Sequence, residues 1–463
     1  MKKLNLSKQL CGFVSVLLAG VLIFSLAAFA AGTAAETPAE APEEIEAEAE
    51  AEAPAELAEL EDLEIINVAQ TITPRDFKFV PGKKTYNVTV VEDDYAVLFT
   101  PTFEEGEIIV TSEGLDGFLC TTGTDLGNPQ ASGKGEMATE LTIQPGDTFF
   151  LTLTQKRMAA YCADDVAAGK FAWGMEMDQD YTVTIQTAKG DYTINIHRPN
   201  SLQWASKFKR YQTDLGEIDK ECEGLLQDYW LYVPEDYDEE KEYPLVLILH
   251  GGGQRLNDAA DILLRYTQTT VFPKYGKEVI VLAPQAQTTT HDYTDANGWG
   301  NVSELTIFGK GAMWALKDTI DKYSVDTKKL YVGGCSMGGM GTMAFLTNYP
   351  DVFAGAIINC GGASVPEGME PEEGAALFAE KMKDSETELL IVHAVKDPTV
   401  LYERGEQLMD ALDEAGKKYE KIIYDEDTFL YPSGHFSWTP AFNSKETIEW
   451  LLAQERKTEA SGF

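Results

Sequence analysis

Four short stretches of this chain hold residues whose types and spacing can do chemistry together. Gly334-Cys335-Ser336-Met337-Gly338-Gly339 follows the apolar run Leu330 to Gly333 and leads into a helical pattern. A hydroxyl set between glycines at a strand-to-helix turn is the pattern of a serine nucleophile. A turn sharp enough to expose Ser336 brings neighbouring backbone so close that side chains at 334 and 338 would collide with it. Cys335 is no rival nucleophile, since the same pattern centred there needs glycine at 337, where Met stands. The second stretch, His250-Gly251-Gly252-Gly253, comes directly after the apolar run Leu245 to Leu249. Backbone N–H groups of Gly252 or Gly253, paired with that of Met337, can hold the negative charge that develops on a carbonyl oxygen under attack, because no side chain bars the approach.

The base and its acid follow from chain order, which in this type of site runs nucleophile, acid, histidine. Of five histidines, His197 lies in a β-patterned region, His250 in the glycine loop, His291 in a polar loop and His393 inside an apolar strand. His435, in Ser433-Gly434-His435-Phe436-Ser437-Trp438, is left as the base. Asp397 follows the strand Leu389 to Val392 immediately and is the expected acid, with Asp425 and Asp427 as rivals. Ser336, His435 and Asp397 would then perform acyl transfer: the histidine takes the serine proton, the serine attacks a carbonyl, and water later releases the acyl group. This chemistry needs no cofactor, and no metal-ligand spacing or phosphate loop stands out, so the expected metal is none and the expected cofactor none. Trp299 and Trp438, aromatics near the same edge, are candidate pocket residues.

These residues need elements to position them. From about Ser201 onward, short apolar strands (246–249, 279–282, 330–332, 356–358 and 389–392) alternate with helical patterns at about 259–267, 312–323, 339–348, 403–415 and 445–452. That is the sequence image of a mostly parallel sheet with helices on both faces, the α/β-hydrolase class, expected over 200–458. Too few residues separate Cys360 from Leu389 for a large lid, so an open cleft is expected. Residues 65–199 read instead as period-two strands, such as Thr85 to Val91 and Tyr181 to Ile185, separated by Pro-Gly and Lys-Gly turns, which predicts an all-β sandwich.

The N-terminal end is of a different kind. Lys2, Lys3 and Lys8 precede an apolar run from Cys11 to Ala30 that ends in Ala-Phe-Ala, the layout of a signal peptide over 1–30, with an uncleaved anchor as the rival reading. Residues 31–64 are almost wholly Ala, Glu and Pro, with thirteen acids and no Lys or Arg, and read as a solvated linker. A secreted protein, or one held at the cell envelope, is expected, with no stable membrane insertion once the segment is cleaved. The formal net charge of −39 makes nucleic acid an improbable partner, because a strongly negative surface repels phosphate. Five cysteines remain beyond Ala30, and Cys120 with Cys162 is the plausible disulfide.

The run Tyr243 to Gly251, with Leu282-Ala283-Pro284-Gln285, Cys335 to Thr342, Tyr349 to Ala356 and Cys360-Gly361-Gly362, resembles secreted bacterial carboxylesterases of the "predicted peptidase" group, which are related to polyhydroxybutyrate depolymerases and feruloyl esterases. The β-patterned region similarly resembles immunoglobulin-like or cadherin-like modules. The resemblance implies a serine esterase acting on short acyl or aryl esters, small or linked to polysaccharide, with a serine peptidase as the alternative. Left open is whether the β-sandwich binds carbohydrate, forms a homo-oligomer contact, walls one side of the active-site cleft or is a spacer. The chain departs from the group at Gly252-Gly253-Gln254, where Ala-Gly-Glu is more common.

Overall fold

The computed structural model describes residues 56–462 apart from 72, 93, 115–116, 123–137, 154–177, 200–201, 256–260, 265–266 and 287–297. The expected signal segment, residues 31–55 of the acidic linker, Cys162 and His291 lie outside the described residues. No helix among the described residues is long and apolar enough to cross a membrane.

Alternation of wet and buried side chains builds the first part of the chain. Its strands are β1 (Asp62–Asn67), β2 (Thr85–Thr89), β3 (Ala96–Thr102), β4 (Ile108–Gly114), β5 (Leu119–Thr121), β6 (Glu140–Ile143), β7 (Phe149–Thr152), β8 (Gln179–Gln186) and β9 (Tyr192–Arg198). They form a four-stranded sheet in the order β1-β3-β7-β5 and a five-stranded sheet in the order β2-β9-β8-β4-β6. Ile65, Phe99 and Phe149 of the first sheet and Val110, Val183 and Ile194 of the second belong to one buried cluster, with the Phe99 and Phe149 rings stacked at 4.8 Å. The linker expected through Glu64 ends earlier than its composition suggests. Ala58, Leu60 and Leu63 are buried in this same cluster, and Ala58 N donates to Glu107 O at 2.7 Å. In β1 the acidic residues take the exposed positions while Leu63 and Ile65 face inward, so period-two burial outweighs the acidic composition.

Period two also explains the second part, now with both faces dry. Strands β10 (Lys209–Asp214), β11 (Leu226–Tyr232), β12 (Tyr243–Leu249), β13 (Ile280–Pro284), β14 (Val325–Cys335), β15 (Gly355–Asn359), β16 (Glu388–Ala394) and β17 (Glu420–Tyr424) form one sheet in the order β10-β11-β13-β12-β14-β15-β16-β17. All pairs from β13 to β17 are parallel, and β10 and β11 add an antiparallel edge. Leu245, Leu247, Val332, Ile358 and Ile391 enter one core, while Val246, Ile248, Tyr331, Ile357 and Leu390 enter the other.

Each core is closed by helices. Among the described residues, the helices longer than four residues are, in chain order, α1 (Thr267–Lys274), α2 (Ile307–Lys322), α3 (Met337–Asn348), α4 (Pro371–Met382), α5 (Tyr402–Ala415), α6 (Trp438–Asn443) and α7 (Lys445–Leu452). Leu316, Phe345, Phe378 and Leu408 bring α2 to α5 onto the first core, and Phe272, Phe442 and Leu451 bring α1, α6 and α7 onto the second. The sheet thus has helices on both faces, as expected, and the domain runs a little past its expected end: Ala460 N and Ser461 N still donate to Thr327 O and Asp351 O.

The C-terminal ends of β12, β14 and β16 lie on the same edge of the sheet, and each strand runs directly into one of the chemical stretches. The first of these ends is pinned by His250. The Ala286 amide donates to His250 Nε2 at 3.0 Å, so the ring proton sits on Nδ1 and donates to Gly251 O at 2.7 Å. Trp299 Nε1 donates to His250 O at 3.1 Å, tying a third segment to the same residue. A charged His250 would need a proton on Nε2, where the amide hydrogen already points. Burial accordingly pulls its pKa from 6.5 down to about 4.

This arrangement has a consequence in acid. Above 6.5 the ring is neutral folded or unfolded; below it the unfolded chain takes up a proton that the fold refuses, so stability falls until about 4. Unfolding free energies from denaturant curves should therefore decline as pH drops through that window. His250→Asn, less stable at neutral pH, should show a shallower decline. Burial also lowers the His393 pKa, but alike in both proteins, so its contribution cancels in the difference. Parallel pH profiles for the two proteins would contradict the tautomer assignment.

Candidate active site

The turn between β14 and α3 holds Ser336 at φ 55° and ψ −120°, outside the regions that side-chain-bearing residues favour. What imposes this conformation is crowding. A Cβ on Gly338 would stand 2.0 Å from Leu249 O, and one on Gly334 2.3 Å from the same oxygen. The Ser336 amide donates to Asn359 O at 3.0 Å and lies 3.2 Å from Cys360 Sγ, so β15 anchors the turn from its other side. The hydroxyl is left at the sheet edge, at the N-terminus of α3.

Asp397 and His435 arrive from loops after β16 and β17. His435 Nε2 lies 3.0 Å from Ser336 Oγ, and His435 Nδ1 lies 2.8 and 3.0 Å from the two Asp397 oxygens. Two backbone donors, Thr399 N at 2.8 Å and Val400 N at 3.0 Å, fix the Asp397 carboxylate, whose side chain is fully buried. The histidine loop can come this close only because Gly434 precedes His435: a Cβ there would stand 2.1 Å from Lys396 O. Ser437 Oγ donates to Asn359 Oδ1 at 2.9 Å, so one asparagine ties the nucleophile turn to the histidine loop. Aspartate on Nδ1 leaves Nε2 as an acceptor aimed at the serine, which is the arrangement a general base requires.

The glycine loop adjoins the same turn. The Gly338 position that would meet Leu249 O also lies within 3.0 Å of His250 O, so the chain entering Gly251-Gly252-Gly253 runs along the start of α3. Gly252 to Gln254 form a short 3-10 turn. Among the described residues, a Cβ on Gly252 would meet nothing nearer than Arg255 Nε at 4.0 Å, so their packing does not demand glycine there. Space in front of the backbone at 252 is a property that an approaching ligand atom uses.

Two expected site residues lie elsewhere than the sequence suggests. Trp299 is buried, its ring edge-on to His250 at 5.0 Å and pressed against Gly341, where a Cβ would stand 2.7 Å from the indole. Trp438 is also buried, its ring perpendicular to His435 at 5.1 Å. Both are packing residues under the site rather than walls of a pocket, because their apolar area is fully used inside. Asn359, Cys360 and Gly434 are the contributors that sequence reasoning passed over. Only the glycine directly before His435 offered a signal.

Cys360 Sγ, an Asp397 oxygen and a His435 nitrogen lie within 4.8 Å of one another, a spacing that three ligands of one metal ion could also have. Burial drives the Cys360 thiol well above its ordinary range, and both nitrogens of His435 are already engaged. The geometry is that of a proton relay. Cys335, beside Ser336, is likewise pushed up to about 12 by burial and offers no thiolate.

The prolyl oligopeptidase family matches residues 311–372, a stretch that includes Ser336 and stops before Asp397. Venom dipeptidyl peptidase 4 of Vespula vulgaris is 22% identical over 264 residues, 49% of this chain and 32% of that protein, so the chain spans about a third of the length of this curated relative. Among solved structures, a thermostable esterase is similar over 81% of this chain and 100% of its own, with 22% identity and a TM-score of 0.48. A ferulic acid esterase is similar over 53% of this chain and 98% of its own, at 16% identity and a TM-score of 0.40. The acylaminoacyl peptidase of Pyrococcus horikoshii covers 62% of this chain and 49% of its own, at 14% identity and 0.39. By its own sheet order, the turn that carries Ser336 and the serine–histidine–aspartate relay, this chain is a serine hydrolase of the α/β type.

Proposed function

We propose that the protein is a carboxylic-ester hydrolase that works through an acyl-enzyme on Ser336, acting outside the cell on short acyl or aryl esters, free or attached to polysaccharide. The observation that carries this reading is the relay itself, with Ser336 Oγ 3.0 Å from His435 Nε2 and His435 Nδ1 2.8 Å from Asp397. His435 takes the serine proton as Ser336 attacks the carbonyl. The oxyanion is held by the N–H groups of Met337 and of Gly252 or Gly253. His435 then protonates the departing alcohol and activates the water that frees the acid. Asp397 keeps the tautomer and balances the imidazolium.

Three features support an ester over a peptide. Ser336 is partly exposed at the sheet edge. The segment between β15 and β16 contains one helix, α4, and is too short for a covering domain. The described residues ahead of β10 form two sheets of four and five strands and no radial array of blades. An open site suits an ester that projects from a larger surface, and the net charge of −39 disfavours anionic substrates. Export is supported by the lysines, apolar run and Ala-Phe-Ala at the start of the chain. The second reading, a serine peptidase, draws on the match to the prolyl oligopeptidase family.

Rates on p-nitrophenyl acetate and butyrate beside a chromogenic dipeptide separate the two: the esters should have the higher kcat/KM, and faster cleavage of the dipeptide would favour the peptidase. Ser336→Ala and His435→Ala should each lower kcat by at least about a thousandfold without loss of fold, and the double variant should be scarcely worse than either, since the groups act as a unit. Asp397→Asn should be damaging but leave more residual rate. Additive losses in the double variant would show that the two groups do not share one step.

A further inference from the structure

The loop that carries His435 is held on two sides, and only one of them belongs to the α/β domain. On that side lie Gly434 against Lys396, the Ser437–Asn359 hydrogen bond, and Trp438 and Phe442 in the second core. On the other side the partner is the N-terminal β unit. Phe429 and Tyr431 pack on Phe150 of β7, with ring centres 5.1 and 5.2 Å apart, in a cluster with Val68, Ala96 and Cys120. Tyr95, just before β3, meets Phe436 edge to face at 5.5 Å. Phe436 in turn lies 4.5 Å from Trp438, and Trp438 stands perpendicular to His435 at 5.1 Å. Four rings thus run without a break from the β unit to the imidazole.

The end of the loop is gripped as well. Lys274 Nζ lies 3.0 Å from a Glu92 oxygen and 3.2 Å from Asn443 Oδ1, and Gln70 Nε2 donates to Asn443 O at 3.4 Å. The Lys274 and Glu92 side chains are 12% and 6% exposed. A charge pair so shielded contributes little net stability but penalises any docking that separates its partners, so it sets the register of the contact. Asp94 and Tyr95 line a narrow crevice with Tyr431, Phe436 and Pro440 that is too tight to admit a water. The ring contacts from Tyr95 through Phe436 and Trp438 to His435 pass a displacement on rather than absorbing it.

We propose that the β unit is a working part of the hydrolytic site: through Tyr95 it fixes the loop that aims His435 at Ser336, making Tyr95 a positioning residue. This rests on His435 being the base. Loss of the Tyr95 ring leaves Phe436 unsupported on its outer face, and Trp438 and His435 shift with it. A general base displaced by a fraction of an ångström to one ångström loses most of its advantage, and because the displacement acts on proton transfer the loss falls on kcat before KM.

The test uses the full chain with p-nitrophenyl butyrate. Tyr95→Ala should lower kcat by about tenfold to a hundredfold with KM within about twofold of wild type. Tyr95→Phe, which keeps the ring, should restore kcat. Ile194→Ala, which opens a cavity in the same unit away from the loop, should lower the melting temperature yet keep kcat. Wild-type kcat in Tyr95→Ala, or an equal fall in Ile194→Ala, overturns the proposal. Should Tyr95→Ala fail to fold, Tyr95→Leu is read by the same criteria. His435→Ala assayed alongside separates the two layers: if it is active, the assignment of the base is wrong, and if it is inactive while Tyr95→Ala is not, only the positioning role fails.

Discussion

Everything at this site depends on one close approach. The start of α3 is pressed against the last residue of β12 so tightly that Gly334 and Gly338 have the Leu249 carbonyl where a Cβ would be, at 2.3 and 2.0 Å. That crowding forces the turn, the turn forces Ser336 to φ 55°, and the strained serine is thereby lifted to the sheet edge at a helix N-terminus. The same contact brings the chain entering the glycine loop alongside the start of α3. A single packing constraint therefore places both Ser336 and the backbone proposed to hold its oxyanion. Such strain persists only where surroundings over-determine it, and here β12, β15 and α3 all do.

The base is placed by a different means. No strand carries His435; it sits in a loop whose position follows from contacts on both flanks. Gly434 lets the loop touch Lys396, and Asn359 ties it to the strand that anchors the Ser336 amide. The outer flank is aromatic and belongs to the β unit. A rigid nucleophile and a base held by packing make a relay whose geometry can be tuned without altering the elbow.

Much of this was legible in the residues, for identifiable reasons. The elbow, the glycine loop and the order of acid and histidine are local patterns whose meaning depends on a few neighbours, and the structure brings Ser336, Asp397 and His435 into one hydrogen-bonded chain. The five apolar strands were readable because burial on both faces leaves little else they can be. Strands β10, β11 and β17 were missed, since their mixed polar and aromatic residues carry no clear period. Strand β1 was hidden by composition: its acids look like linker, although Leu63 and Ile65 between them are apolar. Trp299 and Trp438 could not be placed, because an aromatic in a loop reads the same whether it lines a cleft or fills the space beneath one. The contact between Tyr95 and Phe436 joins residues so distant along the chain that no local pattern announces it.

The central claim, that Ser336 is the activated nucleophile, is tested most directly by a fluorophosphonate probe read by mass spectrometry. The account predicts a single adduct per chain on the peptide that contains Ser336, no adduct in Ser336→Ala, and slow labelling in His435→Ala. An adduct on another residue, or undiminished labelling of the Ser336→Ala protein, would contradict it.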